Sequence, residues 1–331
     1  MPRQALKSAE PSPALDLAHV KGQEAAKRAL EVAAAGGHPV LLIGAEGSGK
    51  TLLGRCLPGL LPPPTGEETA EIASRYQGAG LDPPPGRPFR APHRTTRPAD
   101  LVGRGREPGE VELARGGVLF LDDLPRFGRR SLRALSEPLK GNRGPSLGRE
   151  CAQAAGFLLA AAMRPCPCGR LHHPPDFPGG HCSCPPWKVD RYSEAVRELF
   201  LDLVHLHVEV PAIGLSELRS RCGETTRQVG QRVARARHRQ RDRPEQGTLN
   251  ATLRPWALPK WCRPDDAGRR LLDLAYERLG LTVREVGVIL RVARTIADLS
   301  GSEAVRAPHV AEAVQYRSLA RRRQRTQGVE P

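Results

Sequence analysis

The chain has 331 residues, 39% of them hydrophobic and spread along the whole length, enough for one large domain and a smaller one. No apolar run approaches the roughly 18 residues of a membrane span, and the opening MPRQALKSAEPSPALDLAHV holds no apolar stretch of signal-peptide type, so the expectation is a cytoplasmic protein without a membrane partner. The net charge of +15, from 51 basic against 36 acidic residues, favours polyanions such as nucleic acid; a GC-rich genome that enriches Arg codons would give the same bias.

Residues 1–15 read as a disordered lead-in, on their Pro and Ser. A helical pattern from Gln23 to Ala35 ends at Gly36-Gly37, and Val40 to Ile43 forms the short apolar run of a buried parallel strand. A helix is predicted from Lys50 to Leu60. Leu61-Pro62-Pro63-Pro64 breaks it, and the Pro- and Gly-rich stretch to about Pro92 reads as a connector with one short helix near Glu67 to Tyr76. Val118 to Leu121 is a second strand, Phe157 to Ala162 a third, and Val204 to Val210 a fourth, closed by Pro211. Strands alternating with helices argue for an α/β fold with a parallel central sheet. Beyond Leu215 the pattern is helical, with Asp266–Leu279, Thr282–Leu299 and Pro308–Arg323 as its clearest helices. The expected division is an α/β nucleotide-binding domain over 16–212 with a Cys-rich loop at 164–186, a helical linker and all-helical lid domain over 213–323, and a disordered tail at 324–331.

Between the predicted first strand and the following helix stands GAEGSGKT: Gly44, Ala45, Glu46, Gly47, Ser48, Gly49, Lys50 and Thr51, with Leu52 next. It fits G-x-x-x-x-G-K-[ST] in the strand–loop–helix context of a phosphate-binding loop. Its backbone N–H groups close around phosphates, Lys50 reaches the outer ones, and Thr51 ligates Mg²⁺, so ATP and magnesium are the expected cofactors. Glu46 must point outward, since a carboxylate beside a triphosphate repels it. Asp122 and Asp123 end the second strand, where ligands of open α/β sheets gather. Asp122 suits magnesium, and Asp123 suits orientation of the attacking water. A solvated strand end is the bland alternative.

Cys166 and Cys168 pair with Cys182 and Cys184 around a loop too poor in apolar residues to order itself, and four thiolates on Zn²⁺ would supply that order. Four reduced loop cysteines, or a His172, His173 or His181 ligand in place of a thiol, stay open. Arg227, Arg232, Arg235, Arg237, Arg239, Arg241 and Arg243 fall on one predicted helix, and Arg321, Arg322, Arg323 and Arg325 follow near the end. Such runs suit contact with a DNA phosphate backbone or a solvated helix face.

KGQEAAKRALEVAAAGGHPVLLIG, RPFRAPHRTT, PGEVELARGGVLFLDDLP, AAMRPCPCG, RVARTIADLSG and HVAEAVQYRSLARR occur in that order between Asp16 and Arg322. They resemble the ComM (YifB) branch of the magnesium-chelatase-like AAA+ ATPases. The resemblance implies an AAA+ core with a helical lid, a hexameric ring with ATP at subunit interfaces, and ATP-driven branch migration of DNA in recombination and natural transformation, with branched or single-stranded DNA as the partner. It also implies a second sensor arginine at Arg284, for which a surface helix arginine is the alternative.

Departures from the family pattern accompany it. Asp123 stands where the family has Glu, Arg164 where it has the sensor Asn, and Leu203 where it has the arginine finger, for which Arg197 is a stand-in. The family's Lon-like domain has only about fifteen residues available ahead of the match, so a short or truncated relative is expected. Three functions follow: a homo-hexameric DNA motor, a hydrolysis-impaired ring component acting with an intact paralogue, or a magnesium-chelatase-type motor subunit.

Overall fold

The computed structural model describes residues 15–105, 107–139, 156–171, 181–219, 223–243 and 248–317. Helix α1 (Glu24–Gly36) leads into strand β1 (Val40–Gly44), then α2 (Lys50–Leu60), α3 (Gly66–Gly78), β2 (Phe89–Arg90), α4 (Pro98–Val102) and α5 (Glu110–Leu113). Next come β3 (Val118–Leu121), α6 (Arg129–Leu139), β4 (Leu158–Met163), α7 (Pro186–Leu199) and β5 (Leu206–Val210). Helices α8 (Leu215–Leu218), α9 (Thr226–Arg241), α10 (Leu258–Trp261), α11 (Asp266–Leu279), α12 (Val283–Leu299) and α13 (Ala307–Gln315) follow.

The strands form one parallel sheet in the order β2-β3-β4-β1-β5. Every residue of β1, β3 and β4 is buried, because helices cover both faces, and this is why these strands read as unbroken apolar runs. Alternation along each strand sorts the core into two layers. Leu42, Phe120, Ala160 and Val208 face α1, α2, α9 and α12, whereas Leu41, Leu119, Leu159 and Ala161 face the side closed by α6 and α7.

The four predicted strands are present, the third beginning at Leu158 and the fourth at Leu206. β2 was not anticipated, since two residues between Pro88 and Pro92 carry no periodicity. It holds the sheet edge because Arg90 forms a bidentate, buried ion pair with Glu110 at 2.6 and 2.8 Å. The close approach at Gly117 serves the same edge: a Cβ there would lie 1.9 Å from the Pro88 carbonyl.

The later helices start on side-chain caps. Thr225 and Gln228 form a capping box for α9, Thr282 and Glu285 form one for α12, and Asp265 accepts from the Gly268 N–H ahead of α11. Their apolar faces join the α1–α2 side of the sheet in one continuous cluster. A buried polar chain adds to it. His38 Nδ1 lies 3.0 Å from His205 Nδ1, His38 Nε2 lies 2.7 Å from Thr295 Oγ1, and Asn250 Nδ2 donates to both Thr295 and Asp298. The chain after α13 then returns to β5, where the His207 N–H donates to the Tyr316 carbonyl at 2.8 Å.

The basic helix is α9, but its arginines do not form one free face. Arg232 pairs with Glu31 and Glu224, Arg237 donates to the Ala34 carbonyl, Arg239 to the Asp298 carbonyl, and Arg243 bonds Asn250 and Asp298. Arg227, Arg235 and Arg241 are the exposed remainder. Arg321, Arg322, Arg323 and Arg325 lie outside the described residues, as do the two termini. Among the described residues no helix is long and apolar enough to cross a membrane.

Candidate nucleotide site and cysteine cluster

Because β4 lies between β1 and β3, three strand ends meet at one edge of the sheet: Gly44, Asp122 and Arg164. The loop leaving β1 has its tightest turns at Gly47 and Gly49, with φ of +77° and +93°, and a Cβ on either would meet nothing within 4 Å. Those two glycines are needed for the left-handed backbone, not for space. Gly44 is needed for space, since its Cβ would sit 2.1 Å from the Val210 carbonyl.

Lys50 is buried and folds back onto its own loop, donating to the carbonyls of Gly44 (2.9 Å) and Ala45 and approaching Ser48 Oγ at 3.4 Å. Burial lowers its pKa, with Arg164 adding to that and Asp122, Asp123 and Glu46 opposing it. Thr51 Oγ1 donates to Asp122 Oδ2 at 2.7 Å, which brings together the two side chains expected to share a magnesium ion. Glu46 points outward as expected, with its side chain 87% exposed. Leu52 begins the outer face of α2 and is 47% exposed.

Asp123 is one of two described non-glycine residues with positive φ (+55°), the other being Gln23. Its carboxylate is crowded by cations. Arg126 Nε is 3.2 Å away, Arg164 Nη2 3.6 Å and Arg94 Nη1 3.9 Å, while Tyr192 Oη donates to it at 3.4 Å. Burial, and then the Asp123 charge, push the Tyr192 phenol up to about 12. Asp123 and the three arginines, with Lys50, Thr51 and Asp122, line an open cavity of about 720 Å³.

Gln23 spans the base of the site: its side-chain amide donates to the Ser48 carbonyl at 3.2 Å and the Pro211 carbonyl at 2.6 Å. Sequence reasoning missed Gln23, Arg94, Arg126 and Tyr192. Gln23 and Arg94 lie inside segments that carry the family resemblance, but no residue pattern marks any of the four as part of a phosphate site; only the fold brings them together.

Two residues named from the resemblance lie elsewhere. Arg284 pairs with Asp202 at 3.2 Å, both about three-fifths exposed, and does not line the cavity. Leu203 is buried in the second core layer, while Arg197 turns back to Asp190.

The four cysteines do converge. Cys166 Sγ lies 3.3 Å from Cys168 Sγ and 3.6 Å from Cys182 Sγ, and the ligand atoms of all four, Cys184 included, fall within 4.8 Å of one another. Sulfurs more than 3 Å apart are unbonded, and four on one small sphere fit a tetrahedral soft-metal site such as zinc. Although burial opposes ionisation of Cys168, the Arg170 N–H and the neighbouring thiols bring its pKa down to about 6. His172 and His173 lie outside the described residues, and His181 is exposed.

The profile described as "Magnesium chelatase, subunit ChlI" matches residues 16–218, and that of its C-terminal part matches 223–317. The chain belongs to the ChlI family of AAA+ proteins. Within this family it is 40% identical to the competence protein ComM of Haemophilus influenzae, an alignment that takes in 93% of this chain and 61% of that relative. It is likewise 40% identical to the YifB protein of Salmonella typhimurium, over 95% of this chain and 62% of that protein, and 39% identical to that of Escherichia coli, over 92% and 61%. The chain thus spans about three-fifths of the length of these relatives. The ChlI profiles meet between α8 and α9, where the chain leaves the α/β part for the helices.

Proposed function

We propose that the chain binds ATP with Mg²⁺ in the cavity at the sheet edge and acts as a ring-forming, DNA-associated AAA+ subunit of the ComM type. The observation that carries the reading is the Thr51–Asp122 contact beside Lys50 at the mouth of a glycine loop. The loop N–H groups and the α2 N-terminus receive phosphate oxygens. Lys50 would exchange the loop carbonyls for the outer phosphates, and Thr51 and Asp122 would hold the ion, whose chemistry is to neutralise phosphate charge. Asp123 orients water, Arg284 serves a nucleotide from the helical part, and a homo-hexamer or a mixed ring with a paralogue completes the site. The exposed Arg227, Arg235 and Arg241 provide contacts to branched or single-stranded DNA. Cys166, Cys168, Cys182 and Cys184 hold Zn²⁺ as a structural knot beside Arg164.

A second reading, slow or absent hydrolysis, is favoured by the ion pairs at Asp123. A carboxylate engaged by three guanidiniums is not free to position water, and Leu203 supplies no finger. Where an arginine finger is used, it is worth about 10³ to 10⁵ in rate.

Steady-state ATP hydrolysis without DNA, with single-stranded DNA and with a branched junction separates the two. Turnover stimulated by DNA and abolished in Lys50→Ala supports the motor. Rates equal to the Lys50→Ala blank, alongside measurable nucleotide binding, support the hydrolysis-impaired ring subunit. Lys50→Ala itself should weaken ATP binding about tenfold to a hundredfold through the lost charge-assisted contact, as read by fluorescent-nucleotide titration.

A further inference from the structure

Three guanidiniums converge on one carboxylate at the outer end of the cavity, and they come from three separate parts of the chain. Arg94 lies in the loop after β2, Arg126 in the turn after β3, and Arg164 at the end of β4. One Asp123 cannot neutralise three cations, and the exposed Glu46 gives Arg164 only a distant contact at 3.6 Å. The contacts are also loose. Distances of 3.2 to 3.9 Å exceed the roughly 2.7–2.9 Å of a charge-assisted hydrogen bond, and the buried Nε of Arg164 has no hydrogen-bond partner among the described residues. A surplus of positive charge lining the cavity favours entry of an anion.

Resting on the nucleotide reading above, we propose that Arg94, Arg126 and Arg164 form a clamp for the terminal phosphate of a nucleoside triphosphate, occupied by Asp123 until that phosphate displaces it. The geometry selects the terminal group. The inner phosphates would be held by the glycine loop, and Thr51 and Asp122 would hold the metal ion there. The arginines gather at Asp123, one residue beyond Asp122, where a diphosphate ends short of them. Displacement also frees the Asp123 carboxylate, so the chain carries within itself the cations that a neighbouring subunit's finger would otherwise provide.

The test compares the Kd of AMP-PNP with that of ADP, both with Mg²⁺, by competition against a fluorescent nucleotide on the full chain. The parent should prefer AMP-PNP. An Arg126→Gln/Arg164→Asn double variant should lower that preference about tenfold or more while leaving the ADP affinity within about twofold. Arg126→Gln alone, at a side chain 46% exposed and so tolerant of change, should lower it by a smaller factor. Asp123→Asn should shift it the other way, tightening AMP-PNP and not ADP, because the competing carboxylate is gone. Arg270→Gln, exposed on α11, should leave both affinities unchanged. An unaltered AMP-PNP to ADP ratio in both arginine variants overturns the clamp and leaves nucleotide binding standing, as does a looser AMP-PNP complex in Asp123→Asn. Failure of the parent to bind either nucleotide overturns both.

Discussion

Gly54 shows at single-residue scale how little slack the nucleotide side of the core has. A Cβ there would come 2.4 Å from the Phe120 ring, which is fully buried in the sheet and stacked on Phe89 at 5.9 Å between centroids. The ring cannot retreat without opening the β2 edge. Gly54→Ala should therefore lower stability by about 1–3 kcal/mol, despite the better helix propensity of alanine, and a drop in the urea midpoint at constant slope would show it. No change in midpoint would mean that the ring has room the geometry denies. Residues of this kind were not legible beforehand. GAEGSGKT announces itself because its chemistry is local, whereas Gly54, Gly117 and Gln23 matter only for what the fold places opposite them.

Elements were legible where burial and period agree. β1, β3 and β4 are sealed on both faces, so their apolar runs stood out, while α11 and α12 carry side-chain caps and α1 a glycine stop. β2 stayed hidden because its place depends on the Arg90–Glu110 pair across twenty residues, and α6 and α7 because their faces pack on a sheet whose order the sequence does not state. The cysteine cluster lies between these cases: the paired spacing suggested a metal, and the sulfur positions agree with one. Purified chain should carry close to one zinc per molecule by elemental analysis, and Cys166→Ser should lose it, since the remaining thiolates leave the tetrahedron open. Because Cys166 follows Arg164 by two residues and Gly169 packs beside Arg164, zinc loss should also weaken nucleotide binding. Full metal retention in Cys166→Ser would remove that residue from the ligand set.

For the whole molecule, the sheet and the later helices share one apolar cluster and one buried polar chain, so they should unfold together. Burial, with Arg291, Arg317 and Arg284 around it, pushes the His205 pKa down to about 3, and burial beside His205 pushes His38 well below 6.5. The folded chain keeps both rings neutral where the unfolded chain protonates them. Stability from this source is therefore complete above pH 6.5 and falls as pH drops below it, by up to about 1.4 kcal/mol per pH unit for each ring. Urea midpoints at pH 7.5 and 5.5 should show that fall, and His205→Asn should flatten it. An equally steep fall in His205→Asn would place the pH response elsewhere.

The Gln23 amide makes α1 the shaft of a lever. It is fastened at one end to the Ser48 carbonyl of the phosphate loop and to Pro211 beyond β5, while the same helix lies along α9 and α12. Any displacement of the loop as phosphates arrive would thus be delivered as a push on the helical part along the 13 residues of α1, without a hinge between them. Amide exchange in α12 should slow on nucleotide addition in the parent chain and stay unchanged in Gln23→Ala, which would make a single side chain the transmitter of a mechanical stroke.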